Sequence, residues 1–422
     1  MPNKINNSKL PLGEIAKKTN ISAQSILYWE KKGLIKSQKA HLSDRLFDVS
    51  QILKLSKRLS SKNAQYGFTV HKAKATNFSV VELFSGAGGL ALGLSNAGFK
   101  TKLLVEFDKD AIATLRQNRP DWNCVHDDIR NVDFSPYSKQ IDVVAGGFPC
   151  QAFSYAGAGK GFGDIRGTLF FEFARCVKQI KPKIALGENV RGLMRHDEGR
   201  TLKTMIRSLQ ELGYRVAYKL LRSQYLDVAQ KRERLIILAI RNDLDIPFIF
   251  PKEKDYCLTL KDALKACPKS DGVNYPKRKR YIMSKVPEGG YWRDLPVDLQ
   301  KEYMRGSFYL GGGKTGMARR LSWNEPSLTL VCTPAQGQTE RCHPTETRPL
   351  TVRESARIQS FPDLWKFEGS LASQYKQIGN AVPVNMAYYI GRCLISMLNG
   401  KVDQTNMSMF EPREEQLELS FA

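Results

Sequence analysis

Cys150 stands directly after a proline in "GGFPCQAFS", at the end of an apolar run and ahead of a polar, glycine-rich stretch, 154–163. A structural thiol would sit inside the run; this one is presented. A thiolate held at a strand end has the chemistry of a nucleophile toward electron-poor carbon. Pro149 restrains its own φ and lacks a backbone donor, so the chain is stiff where the thiol must be aimed. Glu188, in "GENV", ends another such run and can set a carboxyl beside the thiol to hold or protonate the group under attack. The glycine-rich turn of "VVELFSGAGGLALGL", with Gly86, Gly88 and Gly89, lets backbone approach a ligand closely. Glu106 ends the next run, where a carboxylate can accept from ribose hydroxyls, and "DDI" at 127–129, with Asp128, follows a third.

These groups can work together only if strands bring them to one edge. Short β-branched runs, "SVVELF", "TKLLVEF", "IDVVAGG", "KIALGEN" and "RLIILAI", alternate with helical stretches from Phe78 onward, the pattern of a parallel α/β sheet. That rhythm occupies 78–240. Glycine, proline and basic clusters such as "KRKR" at 277–280 break it over 241–347, which reads as a smaller separate domain. Helical patterning returns at 350–360 and 382–398, so 348–400 is expected to rejoin the first domain, with 401–422 a flexible tail.

Residues 1–60 read as a helical module: Leu12 to Lys18 as one helix, Thr19 to Ile21 as a turn, and Ser22 to Lys31 as a second helix capped by Ser22. Gly33 stops it, "RLFDVS" is extended, Val49 to Leu59 is helical, and 61–77 is a linker. The net charge is +23, which favours a polyanionic partner, nucleic acid first. Fifteen basic against four acidic residues in 1–77 mark that module as a basic unit of its own. Eight cysteines without paired spacing and no apolar leader point to a reducing cytoplasm; Cys332, Cys342 and His343 lack the spacing of a metal site, so no metal is expected. No stretch of 18 apolar residues exists, which excludes a membrane span.

The motifs, taken in order over 78–398, resemble those of the bacterial DNA cytosine-5 methyltransferases: "ELFSGAGG", "GGFPCQAFS", "GENV", "QKRER" at 230–234, "RPLTVRESARIQSFPD" and "QIGNAVPV". The resemblance implies a Rossmann-like mixed seven-stranded sheet with helices on both faces, a target-recognition domain made mainly from 241–347, and S-adenosylmethionine as cofactor. It implies that Phe84 stacks on the adenine, that Glu106 binds the ribose and Asp128 the adenine amino group. Gly86, Gly88 and Gly89 would clear space for the methionine end, and Asn380 would belong to the cofactor set, bracing rather than reacting, as would Asn189. Cys150 would attack carbon 6 of a cytosine, Glu188 would hold or protonate ring nitrogen 3, and Arg232 and Arg234 would orient the base and its phosphate, since their planar forks suit such acceptors. Carbon 5 lies within the duplex, so the base must be flipped out.

The stretch "LGEIAKKTNISAQSILYWEKKGLI" resembles the winged helix-turn-helix of MerR-type regulators, which implies a recognition helix for the major groove. It also raises operator DNA as a partner and autoregulation as a role. Two rivals remain, a methyltransferase acting on tRNA cytosine and a repressor with a decayed catalytic half. The tail ends in "QLELSF", which resembles the peptide by which bacterial replication and repair proteins bind the sliding clamp; the alternative is that it packs back on its own domain. Together these readings give an enzyme of restriction-modification type that methylates duplex DNA as a monomer.

Overall fold

The computed structural model describes residues 9–19, 21, 23–31, 33–39, 45–64, 67–149, 169–311 and 313–412. They fall into two compact units, one made of 70–254, 329–333 and 355–422, the other of 1–69, 255–328 and 334–354.

The larger unit is built on a seven-stranded sheet. Its strands are β4 (Ser79–Leu83), β5 (Lys100–Glu106), β6 (Cys124–His126), β7 (Val143–Gly146), β8 (Ile184–Val190), β9 (Tyr214–Arg222) and β10 (Glu233–Arg241), in spatial order 6-5-4-7-8-10-9. Pairing is parallel from β6 through β8, while β10 runs antiparallel to both β8 and β9. The chain leaves β4 for β5 on one side and returns to β7 on the other. Strand order reverses there, which opens a crevice at the carboxyl ends.

Alternation along each strand feeds two cores. Val80, Ala145, Leu186 and Leu238 point to one face, which is covered by α4 (Gly89–Ala97) and by Met386, Ile390 and Leu394 of the long helix Val384–Asn399. Val81, Val144, Ala185 and Ile237 point to the other, covered by Phe170, Phe173 and Val177 of Leu169–Ile180 and by Leu202 and Ile206 of Arg200–Glu211. The first layer closes through glycine. A Cβ at Gly93 would lie 2.3 Å from that of Ala387, and one at Gly391 would lie 2.6 Å from that of Ala97. Both positions therefore let two helices meet backbone to backbone.

Three boundaries differ from the sequence reading. Residues 241–254 stay with the sheet unit, because Phe248–Pro251 pairs with Met407–Phe410. That pairing also removes 401–412 from the expected flexible tail; residues 413–422, with "QLELSF", lie outside the described residues. A helix that the periodicity did not show, Leu371–Asn380, starts at Ser370, whose hydroxyl accepts from the Ser373 amide.

In the second unit, β1 (Lys9–Pro11), α1 (Leu12–Thr19), α2 (Ala23–Lys31), β2 (Ser37–Lys39), β3 (Arg45–Asp48) and α3 (Val49–Ala64) form the small helical module. Ile15, Ile26, Phe47 and Ile52 are its buried centre, and the sheet runs β1-β3-β2. The last helix reaches five residues beyond Leu59, into the stretch read as linker, while Ser22 lies outside the described residues. The stretches 255–328 and 334–354 have a separate core around Tyr275, Met283, Trp292, Met304, Ala318 and Cys342. No helix among the described residues is long and apolar enough to cross a membrane.

Candidate active site

A cavity of about 680 Å³ opens at the carboxyl ends of β4, β5, β7 and β8. Its floor begins at Phe84, whose bulky side chain sits on a backbone with φ of 57°. Left-handed backbone at a non-glycine residue costs about 1–3 kcal/mol and persists only where its surroundings enforce it. Here the enforcement is Glu106, which accepts from the amides of Gly86 (2.7 Å), Phe107 (2.9 Å) and Asp108 (2.8 Å) and so ties the glycine turn to the end of β5.

The three glycines do different work. Gly86 has φ of 52° and open space where a Cβ would be, and it lines the cavity. Gly89 also lines it, but a Cβ there would stand 2.3 Å from the Val382 carbonyl, so its glycine is required by packing. Gly88, at φ 84°, caps α4 and faces Leu115 and Trp365 rather than the cavity. Asp128 lines the cavity, with its carboxylate accepting from the Arg130 amide and facing the Arg130 guanidinium at 3.3 Å.

At the other end of the cavity Glu188, 8% exposed, meets Arg234 across 2.7 Å. Burial pushes the Glu188 carboxyl above its ordinary value, and the charges of Arg234 and Arg232 pull it back only in part. A carboxyl so placed can carry a proton and give it up. Gly147 makes room beside it, since a Cβ there would come within 2.9 Å of the Glu188 oxygen. Asn189 lines the cavity and donates to the Phe148 carbonyl at 3.0 Å. Phe148 in turn is wedged against Phe170 and Phe173. The backbone leading to Pro149 is thus fixed from two sides, and Pro149 lines the cavity. β7 ends at Gly146, and Cys150, expected at a strand end, lies outside the described residues.

Arg232 does not reach the cavity. Its side chain is buried and donates to the carbonyls of Gly379 (2.9 Å) and Leu330 (3.4 Å), where burial and the neighbouring Arg234 press its pKa down to about 9. The cause is a tight bend, in which the Arg232 amide donates to the Gln230 carbonyl and turns the side chain into the core. Arg234, on the regular strand that follows, points to the cavity. Asn380 lines the cavity and accepts from the Cys332 thiol at 3.0 Å.

Three of the lining residues that went unread in the sequence bear on the chemistry. Phe107, 72% exposed, follows Glu106 and offers an aromatic face at the cavity. Lys376 reaches Asp108 at 2.9 Å. Glu82 is buried, and its Oε2 has no hydrogen-bond partner among the described residues. Burial first, and then Glu106 and Glu188, hold its carboxyl well above the usual range. A charged residue within the β-branched "VVELF" was the available signal. Glu82, Glu106 and Glu188 set around one cavity, with an unsatisfied carboxyl oxygen among them, fit a cationic ligand with hydroxyls and an aromatic ring. S-adenosylmethionine has these features.

Residues 78–396 match the C-5 cytosine-specific DNA methylase family, and 10–62 match the MerR helix-turn-helix family of regulatory proteins. The chain is 54% identical over 403 residues to the Type II methyltransferase M.Eco47II of Escherichia coli, covering 92% of this chain and 95% of that protein. It is 52% identical over 334 residues to M.Sau96I of Staphylococcus aureus, covering 77% of each. Among solved structures, a prophage-encoded E. coli protein described as a DNA modification methyltransferase superposes over 76% of this chain with a TM-score of 0.57 at 27% identity. The Dnmt2 methyltransferase of S. pombe, at 18% identity and a TM-score of 0.52, shares the fold. The chain therefore belongs to the C-5 cytosine-specific DNA methylases, enzymes that use S-adenosylmethionine.

Proposed function

We propose that the cavity between Phe84 and Glu188 is where this chain methylates carbon 5 of a cytosine flipped from duplex DNA. The observation that carries the reading is the buried Glu188–Arg234 pair, set against the braced backbone of Phe148 and Pro149. S-adenosylmethionine, when bound, supplies an electrophilic methyl group. Phe84 and Phe107 would take its adenine, Glu106 its ribose and Asp128 the adenine amino group, with Gly86 and Gly89 clearing its path and Glu82 near its cationic end. The thiolate of Cys150 bonds to carbon 6 of cytosine. Glu188 protonates ring nitrogen 3 as charge builds on the ring, and Arg234 holds that carboxyl in place while it does so. Carbon 5 would then take that methyl, leaving the spent cofactor as a neutral thioether; the carbon-5 proton passes to a base such as water, the bond from Cys150 to carbon 6 breaks to return the thiolate, and ring nitrogen 3 gives its proton back to Glu188. Arg232, Asn189 and Asn380 are positioning residues.

Cys150→Ser tests this. Cofactor and DNA binding should persist while turnover is lost, because a hydroxyl is a poor nucleophile near neutral pH. Duplexes with 5-fluorocytosine at the target should trap a covalent complex with the native protein and none with the variant. Near-normal methylation by Cys150→Ser would sink the assignment.

The high identity to Type II methyltransferases supports a role as the modification enzyme of a restriction-modification system; that it acts as a monomer in the cytoplasm is our further proposal. The compact core of residues 9–64 and their match to MerR-type modules support operator binding and autoregulation, with sequence-dependent, salt-resistant footprints by the isolated module as the check. "QLELSF" supports capture of the sliding clamp, tested by clamp binding to a 411–422 peptide and its loss on Leu419→Ala with Phe421→Ala.

A further inference from the structure

Among the described residues three cations line the cavity, and each already faces a carboxylate. Arg130 faces Asp128 at 3.3 Å, Lys376 faces Asp108 at 2.9 Å and Arg234 faces Glu188 at 2.7 Å. Glu106 is satisfied by three backbone amides. Glu82, which lines the same cavity, has no such counterpart. It is 1% exposed, and its Oε2 has no hydrogen-bond partner among the described residues. Ser85, three residues on, uses its hydroxyl on the backbone carbonyls of Glu82 (3.2 Å) and Val105 (3.5 Å). A buried carboxyl that the fold leaves unpaired has a use elsewhere.

Sheet register places this carboxyl between the two ends of the reaction. Glu82 pairs with Leu104 on β5 and with Ala145 on β7, and Ala145 pairs with Leu186 on β8. Glu106 and Glu188 lie two residues beyond Leu104 and Leu186, so alternation puts all three acids on one face of the sheet. Neighbouring strands are about 4.8 Å apart, which sets Glu106 one strand to one side of Glu82 and Glu188 two strands, about 10 Å, to the other. A methyl group passing from a ribose held at Glu106 to a ring held at Glu188 must cross above β4 and β7, over Glu82. Burial, and then the charges of Glu106 and Glu188, favour the neutral form of that carboxyl. The elements packed against it do not offset this. β7 and α4 carry no ionisable side chain, and the Val384–Asn399 helix commits Arg392 to the Ala97 carbonyl at the far end of α4, Tyr389 to Asp227 and Tyr388 to a stack on His71.

We infer that Glu82 is the residue by which the cavity tells the sulfonium cofactor from the neutral thioether that methyl transfer leaves. The carboxyl is neutral while the cavity is empty. It gives its proton to solvent as the sulfonium comes over β4, and the two opposite charges then attract each other through a medium of low dielectric, where no direct contact is needed. Transfer removes the positive charge, so the carboxylate is again unpaired between two acids. It takes a proton back from solvent, and the thioether is left without the attraction that held the cofactor. Proton and sulfonium exclude one another, and this coupling is reciprocal. The inference rests on the cavity being the S-adenosylmethionine site.

Titration calorimetry of the full-length protein with S-adenosylmethionine and with S-adenosylhomocysteine, in buffers of different ionisation enthalpy, counts the protons released. Native protein should release up to about one more with the first compound than with the second. Its preference for the sulfonium compound should rise with pH and level off once Glu82 is ionised in the empty cavity. In Glu82→Gln the excess proton and the pH dependence should vanish, and the preference should fall by about 10-fold, the worth of one pKa unit of coupling, while affinity for the thioether is kept. Glu82→Asp retains the charge and should restore part of both effects. Equal weakening of the two compounds in Glu82→Gln would make Glu82 a packing residue and overturn the inference, as would an unchanged preference. An equal proton count for both compounds with native protein overturns it without any variant. Phe107→Ala separates the residue from the site, because both compounds carry the adenine and both should weaken alike. If neither does, the cavity is not the cofactor site and the proposed function fails along with this role for Glu82.

Discussion

Gly93→Ala should destabilise the catalytic unit although alanine is the better helix former. In a helix interior the exchange is worth about 0.8–1.0 kcal/mol in favour of alanine. The new Cβ would stand 2.3 Å from the Ala387 Cβ, 2.5 Å from the Val384 carbonyl oxygen and 2.8 Å from the Tyr388 amide nitrogen. None of these atoms can rotate away, so α4 and the Val384–Asn399 helix must part by about 1 Å to restore ordinary contact, and such overpacking costs about 1–3 kcal/mol. The loss outweighs the propensity gain at all but the lowest end of that range. Net destabilisation of about 1–2 kcal/mol should lower Tm by about 2–8 °C. Because Gly89 and Leu90 at the start of α4 line the cavity, the same shift should weaken cofactor binding. Differential scanning calorimetry with and without S-adenosylmethionine, and titration calorimetry for Kd, measure both effects. Gly13→Ala in α1, where nothing lies within 4 Å, is the control and should be neutral or mildly stabilising. A Gly93→Ala protein that melts at or above the native temperature would refute the close-packing argument.

Phe107→Ala should weaken S-adenosylmethionine binding by about 5- to 10-fold, the worth of one lost aromatic contact, while leaving Tm unchanged because the ring is 72% exposed. If protonated Glu188 is the competent form, kcat should fall as pH rises through its elevated pKa, and Glu188→Gln, which keeps a donor but cannot titrate, should be slower and flat over that limb. Asp227 answers to the opposite sign. Burial alone would raise its pKa, but hydrogen bonds from His71, Lys254 and Tyr389 and the charge of Lys254 more than offset that and hold the carboxyl far below its ordinary value. Its stabilisation is complete above the unfolded value of about 3.9 and is lost as pH falls below it. Asp227→Asn should therefore cost about 3–5 kcal/mol at neutral pH in urea melts, with the gap to native protein closing in acid.

Residue chemistry alone located the strand-end loops. Glycine, proline and acid interrupt β-branched runs wherever a sheet must present a ligand site, so "ELFSGAGG", Glu106, "DDI" and "GENV" stand out before any pairing is known. The helical module was legible for a similar reason, because its elements are local and each brings its own turn and apolar stripe. What no local pattern holds is which side chain faces the cavity. Arg232 and Arg234 are two apart and would share a face of a regular strand; a single bend at Gln230 sends the first into the core and leaves the second beside Glu188. Glu82 reads as one polar residue in a buried strand, and only the convergence of β4, β5 and β8 surrounds it with two more carboxyls and shifts its proton affinity. The join of Phe248–Pro251 to Met407–Phe410 likewise depends on segments far apart in the chain. Sequence settles the chemistry available at each strand end, because residue type and local conformation are local properties. Tertiary structure decides which groups meet and in which protonation state, because burial and Coulomb energy depend on neighbours that the chain supplies from a distance.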